Sequence, residues 1–307
     1  MIERPKKCER KQIMAAAIID GKKIAAQMRS ELKAEVDKLK HRGIVPGLAV
    51  VLVGSDPSSV SYVTAKEKAC QETGIYSDDN RLAAQTSREV LLELIERLNA
   101  DKRIHGILIQ LPLPKHLNES EILFAVRPEK DVDGFHPTNI GKMVAGEESF
   151  LPCTPHGVVQ ILLRSGVKID GADVVIVGRS NIVGKPLANI LIQKSKTGNA
   201  TVTVCHTHTR RLAEHTRRAD ILIVAAGRPG TITADMVKEG AAVIDVGVNR
   251  IEDKTKKAGF RLVGDVDFEQ VKKKVSLITP VPGGVGPMTI TMLLYNTVKA
   301  ANLIAGQ

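Results

Sequence analysis

The stretch VVIVGRSNIVGKP, Val174 to Pro186, constrains the fold of this chain more than any other. A β-branched run, Val174 to Val177, breaks at Gly178-Arg179-Ser180 and resumes at Gly184-Lys185-Pro186 ahead of a helical pattern, Leu187 to Ile192. That is a strand, a glycine-bounded turn and a helix. Such a turn aims backbone N–H groups and a helix N-terminus at one point, which favours a bound phosphate. Pro186 suits the first helical turn, where a missing N–H costs nothing. The spacing is not that of a Walker loop: five residues, not four, separate Gly178 from Gly184-Lys185, and Pro follows the lysine. The dinucleotide pattern GxGxxG is also altered, with Ser180 in place of its second glycine. Taken alone, the stretch fits either a dinucleotide turn or an ordinary βα turn.

The rest of the chain repeats the same alternation. Ile24, Met28, Leu32, Val36 and Leu39 give helical spacing across 18–39, ended by Gly43 and Pro46. Leu48 to Val53 is an unbroken apolar run, the mark of a strand buried on both faces. Asp56-Pro57-Ser58-Ser59 caps a helix that runs to about Thr73 and stops at Gly74. Helices are expected over 91–98, 120–126 and 154–163, a buried strand over 104–110, and a loop over PEKDVDGFHP, Pro128 to Pro137. After Val174–Val177, strands are expected at 201–205, 221–225 and 242–246, and a last helix at 289–303 behind the glycine-rich PVPGGVGPMT. Strand and helix in alternation imply right-handed crossovers and a parallel sheet, an α/β fold.

With 307 residues there is room for two such domains. No apolar run reaches the roughly 20 residues needed to span a bilayer, so no membrane partner is expected. Cys8, Cys70, Cys153 and Cys205 lack CxxC spacing, which suits free thiols in a reducing cytoplasm and gives no zinc site. The net charge of +10 raises the question of nucleic acid. MIERPKKCERK holds five bases and two acids of that balance, and 1–13 reads as a tail ahead of a more natural start at Met14. The other bases are dispersed and there is no Trp, so stacking platforms for a nucleic-acid partner are few.

Several constellations could carry chemistry. Tyr62 and Lys66, four apart, share a helix face at the carboxyl end of a buried strand. On residues alone they are equally an exposed amphipathic pair. Gln110 ends an apolar strand and needs a partner for its amide, whether a ligand or a neighbouring loop. Asp131-Val132-Asp133-Gly134 opens like a calcium loop, but Lys142 stands at the twelfth position, which excludes calcium and leaves an Asx-turn as the plain alternative. His206 and His208 read as exposed strand-end histidines, not metal ligands.

YVTAK, ILIQLPLP, PEKDVDGFHPTNIG, PCTPHG, VVIVGRSNIVGKP, ATVTVCHTHT and ITPVPGGVGPMT occur here in one order. In that combination the chain resembles the bifunctional methylenetetrahydrofolate dehydrogenase/methenyltetrahydrofolate cyclohydrolase family, from about Ala15 to Ile304. The resemblance implies two domains flanking a cleft, 14–154 completed by a helix at 289–304, and a Rossmann-type 155–288. It implies a homodimer, tetrahydrofolate derivatives as substrates and NADP as cofactor. It makes Lys66 the key catalytic residue, with Tyr62 stacking on the folate, Gln110 positioning Lys66 and Asp133 holding the pterin edge. Leu111, Pro112, Pro282, Gly283 and Gly284 become substrate contacts, and Gly178, Arg179, Ser180, Thr207 and Val248 cofactor contacts. Thr207 departs from the Ser of many members but keeps the hydroxyl.

Residue chemistry agrees with that picture. A cationic substrate beside Lys66 would lower its pKa, as a base near neutral pH requires. A carboxylate such as Asp133 accepts from pterin N–H groups, and Gly283, Gly284 and Gly286 allow close backbone approach. No acid occurs in Cys205-His206-Thr207-His208-Thr209-Arg210-Arg211, where an NAD site places Asp or Glu; Arg179 there suits a phosphate instead. The alternatives are a non-folate dehydrogenase, which leaves YVTAK, Gln110 and DVDG unexplained, and a non-catalytic folate- or nucleic-acid-binding protein, against which the intact Lys66 speaks.

Overall fold

The computed structural model describes residues 16–256 and 259–306. The expected tail at 1–13, Met14 and Cys8 lie outside the described residues.

The chain opens with a two-residue strand, β1 (Ala17–Ile18), and a helix, α1 (Gly21–His41). Asp20 caps α1 by accepting from the Lys23 N–H at 3.0 Å, so the helical spacing read from Ile18 becomes helix only at Gly21. Then come β2 (Gly47–Val53), α2 (Pro57–Thr73), β3 (Tyr76–Leu82), α3 (Arg88–Ala100) and β4 (Gly106–Ile109). Every residue of β2 is buried, as its apolar run predicts. It is the middle strand of a parallel sheet ordered β3-β2-β4. Two short helices, α4 (Glu119–Ala125) and α5 (Pro137–Ala145), bracket the expected loop, and α6 (Cys153–Arg164) leads onward.

The second half runs β5 (Asp173–Val177), α7 (Gly184–Ile192), β6 (Thr201–Cys205), α8 (Leu212–Thr216), β7 (Ile221–Val224) and β8 (Ala242–Asp245). An antiparallel hairpin, β9 (Asn249–Glu252) and β10 (Phe260–Val263), interrupts it before α9 (Phe268–Val271), β11 (Leu277–Ile278) and α10 (Val285–Ala305). The large sheet has the order β1-β11-β8-β7-β5-β6, and every pairing in it is parallel. The molecule is thus an α/β protein with two parallel sheets and a cleft between them. β6 and β7 lie on opposite sides of β5, and β3 and β4 on opposite sides of β2. Each sheet therefore has a topological switch point at the carboxyl end of its middle strand, where open α/β sheets bind ligands.

One continuous apolar core joins the sheets. It includes Leu48, Val50 and Leu52 of β2 and Ile176, Ile223 and Ile244 of the large sheet, bridged by side chains of α1, α6 and α10. Two further expectations differ from the fold. Residues 17–18, placed in the first half, pair with Leu277 and Ile278 of the large sheet. The last helix begins at Val285, four residues before the expected Thr289, because Pro287 falls within its first turn, where its missing N–H is tolerated.

Candidate active site

The functional side chains converge at the two switch points. α2 starts at the carboxyl end of β2, with Asp56 accepting from the Ser59 N–H at 2.9 Å and Pro57 in its first turn. That cap fixes the helix so that Tyr62 reaches the cleft while Lys66, one turn on, is buried beside it. Their environments differ sharply: Tyr62 is 42% exposed and Lys66 only 8%. The Lys66 Nζ donates to Gln110 Oε1 at 2.8 Å, and Gln110 Nε2 donates to the Leu111 carbonyl at 2.7 Å. The second bond fixes the amide orientation and turns its oxygen toward the lysine. Gln110 follows β4 directly, so neighbouring parallel strands bring it beside Lys66.

Asp131 and Asp133, two residues apart, separate cleanly in role. Asp131 accepts from the backbone N–H groups of Gly134, Phe135 and His136 and from Asn139 Nδ2, at 2.8–3.2 Å. It orders the loop. Asp133 stays outside that loop network and shares the neighbourhood of Lys66 and the Cys153 thiol. Burial pushes its carboxyl up to about 6, against the pull of the Lys66 ammonium, and the Asp131 carboxylate adds to the rise. Burial likewise holds Lys66 below its ordinary value, and the Asp133 carboxylate opposes that shift. An amine whose proton is loosened in this way suits general-base work.

Tyr62 opens onto a cleft of about 850 Å³ that also touches Val248, Pro282, Gly283 and Gly284. Lys66, Gln110 and Asp133 do not line this cleft; they form the buried cluster beside it. Gly283 has φ 107°, a region that favours glycine. A side chain on Gly21 would overlap the Gly284 carbonyl, so the start of α1 and the glycine loop pack backbone to backbone. Leu111-Pro112 and Val281-Pro282 are both cis. Lys22, Arg29, Lys68 and Arg250 give the cleft a basic rim, a feature the sequence hid because the four lie in three distant segments.

Across the cleft, the turn after β5 has the packing of a dinucleotide loop. A side chain on Gly178, at φ 138°, would overlap the Ala225 carbonyl, and one on Gly184 would overlap the Gly178 carbonyl. Arg179, Ser180 and Thr207 are exposed at the carboxyl ends of β5 and β6. Ser180 Oγ accepts from the N–H groups of Val183 and Gly184 at 3.1 and 3.4 Å, so this serine closes the turn that leads into α7. His206, held below its usual pKa by desolvation and by the Arg179 charge, lies within reach of Arg179. His206 and His208 meet edge to face. Among the described residues no group of three or more His, Cys, Asp or Glu is placed to hold a metal, and no helix is long and apolar enough to cross a membrane.

Asn296 escaped the sequence reading. It is buried in α10 and donates to the carbonyls of Val132 and Leu151 at 2.8 and 3.0 Å, gripping the Asp133 loop from behind. Its signal was an amide in the middle of a helix whose neighbouring turns are mostly apolar.

The family described as tetrahydrofolate dehydrogenase/cyclohydrolase, catalytic domain, matches residues 19–133, and its NAD(P)-binding domain matches 152–305. The chain is 62% identical to the bifunctional protein FolD of Syntrophus aciditrophicus over 293 residues, covering 95% of this chain and 100% of the relative. It is 56% identical to that of Bacillus pumilus over 288 residues, 94% and 98% respectively. Among solved structures it resembles the bifunctional FolD enzyme of Campylobacter jejuni, with TM-score 0.89 and 50% identity over 94% of this chain and 100% of that one. It also resembles the Trypanosoma brucei methylenetetrahydrofolate dehydrogenase-cyclohydrolase, solved with NADP and an inhibitor, with TM-score 0.90 and 39% identity over 96% and 100%.

Proposed function

Because this chain belongs to the tetrahydrofolate dehydrogenase/cyclohydrolase family, we propose that its cleft carries out both family steps with Lys66, Gln110, Asp133 and Tyr62. It is a bifunctional, NADP-dependent enzyme of folate one-carbon metabolism. 5,10-Methylenetetrahydrofolate is oxidised to the methenyl cation, and water converts that cation to 10-formyltetrahydrofolate. The observation that carries the assignment of residues is the buried Lys66–Gln110 bond, with Asp133 nearby, next to an exposed aromatic ring on the cleft, Tyr62.

The residues fit the cofactor. The close backbone packing at Gly178 and Gly184, where any side chain would overlap a carbonyl, leaves room for a diphosphate to approach the turn. Arg179 and the neighbouring His206 suit a 2′-phosphate, and no carboxylate from Cys205 to Arg211 competes for it. When bound, NADP accepts the hydride that leaves the methylene carbon.

Every other task falls to the chain. Tyr62 holds the folate by its ring face, and the Pro282–Gly284 backbone closes on the other side. Asp133 accepts from the pterin amino and ring N–H groups, which fixes the reacting carbon beside Lys66. The methenyl product is cationic, so it depresses further an amine already lowered by burial. Lys66 takes a proton from the water that attacks the methenyl carbon. The bond from that carbon to the pterin nitrogen then breaks as the oxygen loses its remaining proton and the nitrogen gains one. Gln110 keeps the amine aimed throughout.

A homodimer built from the large-sheet halves belongs to the same proposal. It leaves both clefts open. Sedimentation at the mass of a stable monomer at micromolar concentration counts against it. A reducing cytoplasm suits the three buried, free thiols Cys70, Cys153 and Cys205. Purified protein given methylenetetrahydrofolate and NADP should produce NADPH and then 10-formyltetrahydrofolate; NADPH formation from a hydroxy acid instead, or none at all, defeats the reading.

A further inference from the structure

Two carboxylates, one lining the cleft and one buried behind it, have no cationic partner among the described residues. Asp245 ends β8 and is 3% exposed; Asp265 follows β10 and is fully buried. Burying a carboxylate is costly unless hydrogen bonds replace its water. Here they do, through backbone N–H groups drawn from three separate loops. Asp265 Oδ2 accepts from Ala226 and Gly227 at 2.7 and 2.8 Å, and its Oδ1 accepts from Asn249 Nδ2 at 2.8 Å. Asp245 Oδ1 accepts from Gly247 and from the Asp265 N–H, both at 3.0 Å, and its Oδ2 from Val266 at 2.9 Å.

The two segments interlock. A side chain on Gly247 would overlap the Asp265 carboxylate, and one on Gly264 would overlap that of Asp245. The Asp245 N–H is held by Thr279 Oγ1 at 2.8 Å, just before the glycine loop of the cleft. The loops so tied are those that leave the carboxyl ends of β7 and β8, the side of a parallel sheet on which ligands bind. Residues 245–248 line the cleft. Ala226 follows Ala225, whose carbonyl is the atom against which Gly178 packs. Asp265 thus connects, through one residue, to the phosphate-side turn and, through Asn249, to the segment carrying Val248.

We infer that Asp265 is a positioning residue for the cofactor wall: it locks the exit of β7, which backs the Gly178 turn, to the Val248 loop. This rests on the reading that NADP lies at the carboxyl end of the large sheet. Charge-assisted bonds to backbone N–H groups are about twice as strong as neutral ones, which suits a single anion for holding two loops at once. Asp265→Asn keeps shape and volume but replaces one acceptor oxygen by a donor. The remaining oxygen then serves the Ala226 and Gly227 N–H groups only as a neutral acceptor, and the new NH2 can hold Asn249 only if that amide turns over to present its oxygen.

The bifunctional enzyme supplies its own control, because the water step consumes no cofactor. In Asp265→Asn the KM for NADP should rise about tenfold or more, the effect of one lost charged hydrogen bond, while the cyclohydrolase rate falls by less than twofold. Asn249→Ala, which removes only the Val248 side of the lock, should raise the same KM by about threefold. A folded Asp265→Asn protein with NADP KM within twofold of wild type overturns the inference. So does an equal loss of both activities, which marks a merely structural role. If Asp265→Asn does not fold, an unchanged KM in Asn249→Ala overturns it. Wild-type protein that fails to reduce NADP at all strikes the functional reading, not this one.

Discussion

Replacing Lys66 by Met removes the amine while keeping an unbranched stem of similar volume, so packing around α2 should survive. The direct structural cost is the 2.8 Å bond to Gln110, whose oxygen is left without its donor. Leaving such an acceptor unpaired costs about 1–3 kcal/mol, which a chain with a core this extensive tolerates. The catalytic cost is separate. Removal of a positioned general base costs about 10²-fold or more, roughly 2.7 kcal/mol of barrier at about 1.4 kcal/mol per decade. Hydride transfer needs alignment more than proton transfer, and in the proposed roles Tyr62, Asp133 and the glycine loop would still align the folate. The cyclohydrolase step should therefore fall by about 10²-fold or more, the dehydrogenase step by about tenfold or less, and both ligands should still bind. The assay follows loss of methenyltetrahydrofolate absorbance and, separately, NADPH formation, with equilibrium binding of each ligand. Cyclohydrolase activity within a few-fold of wild type in the folded variant refutes the role given to Lys66.

Three further predictions use the same geometry. Arg179→Ala should raise the KM for NADP at least about tenfold, one charged hydrogen bond to phosphate, and leave NAD use nearly unchanged; unaltered NADP kinetics count against the 2′-phosphate site. Asp133 titrates at about 6 where 3.8 is usual. The folded state thus holds a proton the unfolded chain has released, and this group's contribution to stability, full below about 3.8, is lost as pH rises through about 6. Asp133→Asn should consequently raise the melting temperature at pH 7 by a few degrees, roughly 1–3 kcal/mol, while crippling turnover. The gain should vanish below about pH 4, and a melting temperature that drops at pH 7 refutes the sign. Asn296→Leu frees the Val132 and Leu151 carbonyls; calorimetry should register a loss of about 1–3 kcal/mol, and the KM for folate should rise more than that for NADP.

What could be read from the sequence follows from burial. β2 and β5 are unbroken apolar runs because helices or core cover both faces, and such runs announce a parallel sheet. β3, Tyr76–Leu82, reads YSDDNRL and lies at the sheet edge with most side chains wet, so nothing in its pattern distinguished it from a loop. The hairpin β9–β10 was missed for the same reason, its residues alternating between exposed and half-buried. Tyr62 and Lys66 were found because helical spacing alone puts them on one face. Their opposite burial depends on β4 bringing Gln110 alongside, which is tertiary. Asp131 and Asp133 look alike in DVDG, and only the folded loop ties one to backbone N–H groups and sets the other beside Lys66. Ser180 stands where a glycine was expected because its hydroxyl closes the turn. Asp245 and Asp265 look like ordinary residues at strand ends, and their interlock joins segments 20 positions apart.

If one cleft, with Tyr62 as its folate platform, serves both steps, a non-reacting tetrahydrofolate analogue should inhibit the dehydrogenase and the cyclohydrolase activities competitively against folate with the same inhibition constant. Tyr62→Ala should weaken both constants together, by about 1–3 kcal/mol for loss of an aromatic face against a flat ligand. Two distinct inhibition constants, or a Tyr62→Ala variant in which only one of them shifts, contradict the single cleft.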